Sequence, residues 1–361
     1  MIKQRYIIDD YSQLERSICK YNTHKAFLVC GKSFDKMVFG KKLMDILAKY
    51  NIETVRFSNF SPNPLYESIC KGVEAFKASG AQLIMAVGGG SAIDVAKCIK
   101  LYSNMDNSVN YLTQDIVSND IPFIAVPTTA GTGSESTKYA VIYYYGKKQS
   151  VNHGSIIPSI VFFAPESLNS VPEYHKKASL LDTLSHAIES FWSINATEES
   201  RAYSREAINI IIRNIDDYMM RDNNLNIQMM KAANLAGKAI NITQTTAGHA
   251  MCYKITSIYG YAHGHSAALC NGVLWPYMIE YGNLSNIFDE LATCFGKNSA
   301  TEGAKTFTDI IHKLGMEIPK ITSEQTLNEL AESVNPVRLK NNPVKLSADV
   351  IKELYRKISS L

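Results

Sequence analysis

An excess of charge of one sign is missing from this chain of 361 residues: Lys and Arg number 37 against 34 Asp and Glu, a formal net charge of +3. No long basic run occurs either, so nothing anticipates nucleic acid as a partner. Long apolar runs are lacking too. Ile121 to Val126 is among the longest, far short of the roughly 20 residues of a membrane-spanning helix. The opening MIKQRYIIDDYSQ has no apolar signal core, and the expected location is the cytoplasm. The seven cysteines, Cys19, Cys30, Cys70, Cys98, Cys252, Cys270 and Cys294, are odd in number and never spaced CxxC. They read as reduced core thiols, not as disulfides or a zinc knuckle. Repeats, low-complexity tracts and linkers rich in glycine, proline or serine are likewise missing.

What remains is ordinary globular composition, 46% hydrophobic and 20% charged, on a length that suggests two domains. Up to about residue 166 short apolar runs alternate with helical patterns, the signature of an α/β domain with a largely parallel sheet. Candidate strands are Lys25 to Cys30, Ile52 to Phe57, Leu83 to Val87, Pro122 to Val126, Tyr139 to Tyr145 and Ser159 to Phe163. Leu83 to Val87 is apolar without alternation, which places it mid-sheet. Phe34 to Lys49 and Pro64 to Ala78 read as helices. From residue 167 to 361 strand-like runs give way to apolar spacing of three and four, as in Glu173 to Trp192, Glu198 to Met220 and Asn226 to Ile242, an all-helical second domain. The two halves are expected to pack with a cleft between them.

Gly88-Gly89-Gly90-Ser91 follows the central strand and opens the helical pattern Ala92 to Leu101. Glycines let backbone approach a ligand, and the free N–H groups of a helix start favour a pyrophosphate. The other reading is a plain structural turn. A second small-residue loop, Pro127-Thr128-Thr129-Ala130-Gly131-Thr132-Gly133-Ser134-Glu135, follows the next strand. In an open sheet both loops would share the carboxyl edge and could hold a dinucleotide.

In the helical half Asp182 and His186 stand four apart, on one side of a helix, a spacing for two metal ligands or for an ordinary surface pair. His249, His263 and His265 cluster within 17 residues. One carboxylate with three imidazoles suits Fe2+ or Zn2+ with a position left open.

These motifs, GGGSAIDVAK, PTTAGTGSE, DTLSHAIES, GHAM and AHGH, in this order, resemble the iron-containing alcohol dehydrogenase family. The resemblance runs over nearly the whole chain, Pro62-Asn63-Pro64 included. It implies a Rossmann-like first domain, a helical second domain, and a metal held by Asp182, His186, His249 and His263. It also implies a nicotinamide dinucleotide on Gly31, Lys32, Ser33, Asn63, Gly88, Gly89, Gly90, Ser91, Asp94, Thr128, Thr129, Thr132, Tyr139 and Val141, and a homodimer or larger assembly. One departure is Tyr253-Lys254, where most family alcohol dehydrogenases carry a further histidine. With Lys238 and Arg338 it looks like the phosphonoacetaldehyde reductase branch, the three cations facing a phosphonate dianion. Rim or surface cations are the plainer reading. No acidic residue ends the first strand, Val29-Cys30-Gly31-Lys32-Ser33, which leans towards NADPH over NADH. His265 and Tyr253 are the expected proton relays. Alternatives are reduction of another small aldehyde, neutral or anionic, and a dehydroquinate synthase-like lyase, against which Asp182 stands in place of the glutamate of that group.

Overall fold

The structure is a computed structural model and describes residues 4–282 and 284–361. The chain up to Thr129, together with Ser134–Val171, forms one compact unit; Ala130–Gly133 and Pro172–Leu361 form a second.

The strands of the first unit, in chain order, are β1 (Arg5–Ile8), β2 (Lys25–Cys30), β3 (Glu53–Phe57), β4 (Leu83–Gly88), β5 (Phe123–Pro127), β6 (Tyr139–Tyr144), β7 (Lys147–Asn152) and β8 (Ile160–Phe163). Six of them form one sheet of order β1-β8-β5-β4-β2-β3, parallel at every pairing. Helices α1 (Tyr11–Cys19), α2 (Val38–Lys49), α3 (Tyr66–Ser79) and α4 (Gly90–Tyr102) connect them.

Strand periodicity of two explains the two cores. Phe27, Val29, Ile84, Ala86, Phe123 and Ala125 point to the face covered by Ile69, Val73, Ile93 and Ile99 of α3 and α4. Their neighbours Ala26, Leu28, Leu83, Met85, Val87 and Ile124 point to the other, covered by Leu14, Ile18, Leu43 and Leu47 of α1 and α2. All six residues of β4 are buried, as a non-alternating apolar run in mid-sheet requires.

Two expectations are corrected. Tyr139 to Tyr145 does not join the parallel sheet: β6 pairs antiparallel with β7 in a separate hairpin. The connecting residues Tyr145 and Gly146 both have positive φ, 48° and 69°, the two-residue turn whose twist suits a hairpin. The helix expected from Phe34 breaks at Met37, which is extended between a 3-10 turn and α2. A Cβ on Gly40 would lie 2.4 Å from the Phe34 carbonyl oxygen, so the turn folds back against α2.

The second unit is helical: α5 (Glu173–Trp192), α6 (Glu198–Met219), α7 (Asn226–Thr243), α8 (Ala247–Tyr259), α9 (His263–Tyr281), α10 (Ser285–Cys294), α11 (Ala300–Lys313), α12 (Glu324–Glu332) and α13 (Ala348–Ile358). Every residue of α5 from Leu180 to Trp192 is buried, because α6, α7 and α9 pack around it and α8 lies on α9. A helix apolar on one side only would not tolerate this position; α5 fills its polar positions with Asp182, Thr183, Ser185, His186, Glu189 and Ser190, all needing partners inside the unit. Among the described residues no helix is long and apolar enough to cross a membrane.

Candidate metal centre and nucleotide loops

In the first unit the two small-residue loops meet at the carboxyl edge of the central strands. The Thr128 N–H donates to the Gly88 carbonyl at 3.0 Å. A Cβ on Gly89 would approach Thr129 Oγ1 to 3.2 Å, and one on Gly88 would sit 2.6 Å from the Ala92 Cβ. Gly89 is the N-cap of α4, with Gly90 and Ser91 its first residues, so free backbone N–H groups and the helix dipole are concentrated at this edge. Gly31, Lys32 and Ser33 follow β2, the neighbour of β4, with open space around Gly31. Asn63, exposed, adopts φ 57°.

Asp94, Tyr139 and Val141, expected on the nucleotide, are joined into a brace of the chain itself. Asp94 accepts from Ser134 Oγ at 2.6 Å and from the Val141 N–H at 2.9 Å. One turn on, the ammonium of fully buried Lys97 donates to the carbonyls of Ser134 and Tyr139, both at 2.6 Å, and to the Ser134 and Thr137 hydroxyls. Burial pulls the Lys97 pKa down to about 8, against the pull of Asp94 and Glu135.

In the second unit the loop residues 130–133 are pinned to the helices. Thr183 of α5 donates to the Ala130 and Gly131 carbonyls, and Gly133, at φ +58°, packs against Gly237 of α7 where a Cβ would meet backbone at 2.6 Å. Thr132 lies within this pinned stretch.

Three helices bring the candidate ligands together: α5 carries Asp182 and His186, the first turn of α8 carries His249, and His263 is the first residue of α9. Among the described residues, the set whose donor atoms all fall within 4.8 Å of one another is Asp182, His249 and His263. His186, expected as a fourth ligand, lies beside this set: its ring stacks on His249 at 4.5 Å and 13°. Glycines permit the approach. A Cβ on Gly264 would meet the Ala178 carbonyl oxygen at 2.2 Å and Asp182 Cβ at 2.4 Å.

His249 Nε2 faces Asp182 Oδ1 at 3.6 Å, and neither atom, nor His186 Nδ1, has a hydrogen-bond partner though all are buried. Unpaired buried acceptors are costly, and two lone-pair atoms converging on a gap suit a divalent cation. The oxygen and nitrogen donor set is one that Fe2+ and Zn2+ accept. Burial opposes a charged His249, but the Glu189 and Asp182 carboxylates outweigh it and lift the pKa to about 9. Burial would raise Asp182, yet His186, His249 and His263 hold it well below the usual carboxylate range. His186, by contrast, is pushed down by burial to about 4.

Sequence reasoning passed over Glu189, three residues beyond His186. It is wholly buried and touches His249 Nδ1. Its spacing of seven from Asp182 was the available signal. His265, expected as a proton relay, has its Nε2 2.8 Å from the Glu317 carbonyl oxygen and its Nδ1 3.1 Å from the Tyr174 hydroxyl, so both ring nitrogens have partners within the second unit.

Tyr253 stacks on His263 at 5.4 Å and 17°. Arg338, 85 residues on and in a 3-10 turn, lies over the Tyr253 ring at 5.4 Å, with Nη1 3.4 Å from the Tyr253 hydroxyl. Lys254 pairs with Glu329 at 2.6 Å, and Lys238 of α7 sits over the Tyr203 ring at 5.6 Å. Of the three cations expected at the substrate, Arg338 lies over a ring that itself stacks on a residue of the ligand set.

The model of the family described as iron-containing alcohol dehydrogenase matches residues 4–165, and that of the Fe-containing alcohol dehydrogenase family, C-terminal, matches residues 176–359. The chain is 29% identical over 274 residues to aldehyde-alcohol dehydrogenase 2 of Entamoeba histolytica, covering 71% of this chain and 31% of that protein. It is 32% identical over 232 residues to long-chain-alcohol dehydrogenase 1 of Geobacillus thermodenitrificans, covering 62% and 58%. The match thus spans less than two thirds of either relative. Among solved structures, sulfoacetaldehyde reductase from Bifidobacterium kashiwanohense in complex with NAD+ superposes with a TM-score of 0.90 at 24% identity, over 99% of this chain and 97% of that one, a likeness of fold.

Proposed function

The chain belongs to the iron-containing alcohol dehydrogenase family, and from that premise we propose that it is a metal-dependent, NAD(P)H-linked reductase of a short anionic aldehyde, phosphonoacetaldehyde being converted to 2-hydroxyethylphosphonate. One aldehyde, one reduced nicotinamide and one proton become one alcohol and one oxidised nicotinamide. When bound, a divalent metal supplies Lewis-acid polarisation of the carbonyl and the dinucleotide supplies hydride.

The chain's own residues do the rest. Asp182, His249 and His263 would hold the cation, with His186 alongside as a fourth donor. The glycines at 88–90, Ser91 and the threonines at 128, 129 and 132 would receive the dinucleotide, the helix start suiting its pyrophosphate. Lys32 and Ser33, beside the open Gly31, would take a 2′-phosphate, which favours NADPH; NAD+ in a protein of the same fold keeps NADH as the alternative. The Tyr253 hydroxyl donates the proton to the product oxygen.

The anionic substrate is carried by one observation, Arg338 stacked over Tyr253, which stacks on His263. A guanidinium in that place can grip two oxygens of a phosphonate. A neutral aldehyde is the second reading, favoured by the Lys254–Glu329 pair, which leaves that charge already matched. Steady-state kinetics of metal-replete protein with both reduced cofactors decide between them. Phosphonoacetaldehyde should outperform neutral aldehydes of equal length, and Arg338→Met should raise KM for the phosphonate about 10-fold or more, the worth of a charge-assisted hydrogen bond, while leaving KM for neutral aldehydes unchanged. Equal effects on both refute the anionic assignment.

A further inference from the structure

Glu189 lies at the centre of a hydrogen-bond network that the reaction scheme does not use. Its Oε1 lies 2.5 Å from His249 Nδ1 and accepts from Asn271 Nδ2 at 2.9 Å. Its Oε2 accepts from the Thr246 N–H at 2.5 Å and the Thr246 hydroxyl at 2.8 Å. The Trp192 indole N–H donates in turn to that hydroxyl at 2.9 Å, which leaves the hydroxyl proton free to point at Glu189. Four donors therefore converge on a carboxylate with no exposed surface, and a carboxylate so placed has no room to turn. The backbone reserves its space: a Cβ on Gly248 would lie 2.0 Å from Asn271 Oδ1 and 2.6 Å from Glu189 Oε1.

We infer that Glu189 is a positioning residue that locks His249 as the Nδ1–H tautomer, leaving the Nε2 lone pair directed at the gap shared with Asp182 and His263. An ionised carboxylate only accepts hydrogen bonds, so the nitrogen facing it must carry the proton and the other, in neutral imidazole, must carry the lone pair. The same contact makes the imidazole a stronger donor to a cation. Glu189 also caps the start of α8 through Thr246, so one side chain sets both where the helix begins and which atom of its first-turn histidine is presented. The inference rests on the reading of Asp182, His249 and His263 as the metal site.

Glu189→Gln keeps the shape and removes the acceptor-only chemistry. If its amide oxygen faces His249 Nδ1, its NH2 meets the Thr246 N–H; if the NH2 faces Nδ1, His249 is driven to the other tautomer. Zinc affinity measured by chelator competition is expected to fall 10- to 100-fold, with the metal-free variant still folded by circular dichroism. In zinc-loaded wild-type protein, 15N-histidine NMR is expected to show His249 protonated at Nδ1 and coordinated through Nε2, a readout that survives if the variant fails to fold. A variant that binds zinc as tightly as its parent, or coordination of His249 through Nδ1, overturns the inference and leaves the metal site standing. Wild-type protein that takes up no zinc, iron or cobalt overturns the site reading and this inference together.

Discussion

Replacing Gly264 by alanine tests the metal centre through the spacing of two helices, not through its ligands. Gly264 follows His263 at the start of α9, and its Cβ would lie 2.2 Å from the Ala178 carbonyl oxygen, 2.4 Å from Asp182 Cβ and 2.8 Å from Asp182 N. Two of the three obstacles are backbone atoms of α5, so no rotamer change relieves the clash. Ordinary contact requires the helices to part by about 1 Å, in an interior packed too densely to absorb it elsewhere. The separation falls between Asp182 and His263, whose donor atoms lie within 4.8 Å as folded. A coordination sphere tolerates about 0.5 Å of misplacement. Overpacking should cost the metal-free protein about 1–3 kcal/mol, read by urea unfolding. Divalent metal affinity should fall about 100-fold, or about 2.7 kcal/mol, read by chelator competition. Gly154→Ala, where a Cβ meets nothing within 4 Å, is the control and should change neither. Gly264→Ala protein that binds metal within about 3-fold of its parent, a difference of under 1 kcal/mol, would refute the claim that close approach of α5 and α9 builds the site.

His249→Ala should abolish metal uptake and turnover together, and metal retained at full stoichiometry contradicts its role. Stripping the metal should lower the thermal midpoint, since free metal at 100 times its dissociation constant adds about 2.7 kcal/mol to the folded state; an unchanged midpoint on adding metal back counts against a resident ion. Gly89→Val should weaken NADPH or NADH binding by fluorescence titration, because the side chain both meets Thr129 and fills the approach to the helix start; unimpaired binding places the dinucleotide elsewhere. Lys97 has a folded pKa of about 8 against 10.5 for the free side chain, so between those values the unfolded chain holds a proton that the folded one has released. Its contribution to stability therefore rises with pH across that window, by at most about 1.4 kcal/mol per unit. The stability difference between wild type and Lys97→Met, from urea unfolding at pH 8 and pH 10, should widen accordingly; a constant difference refutes the burial account.

Much of the architecture can be read from local pattern. The apolar run 83–87 places its strand mid-sheet because only a strand covered on both faces can dispense with alternation, and β4 is buried throughout. The change to three-and-four spacing after residue 166 announces the helices because that spacing is what one helix face shows to another. Motif order and spacing likewise name the family and nominate Asp182, His186, His249 and His263 as ligands, since ligand chemistry limits which residue types can serve; the donor atoms that packing draws within 4.8 Å of one another are those of Asp182, His249 and His263. Turn geometry is where local reading fails: the positive φ at Tyr145, a residue that rarely adopts it, turns β6 back into a hairpin.

Partnership between distant residues is settled by packing alone. Whether a histidine faces a ligand gap or a carbonyl depends on what folds against it from elsewhere in the chain. His265, two positions from His263, is taken up by Tyr174 and Glu317, while Lys254 finds Glu329 and Arg338 finds Tyr253. Glu189 has no signature beyond its spacing, yet α5, α8 and α9 converge to give it Thr246, His249 and Asn271 at once. Residue type determines what a side chain can donate or accept; three helices meeting inside one unit determine to whom, because the energy of a buried polar group depends on contacts the sequence order does not contain.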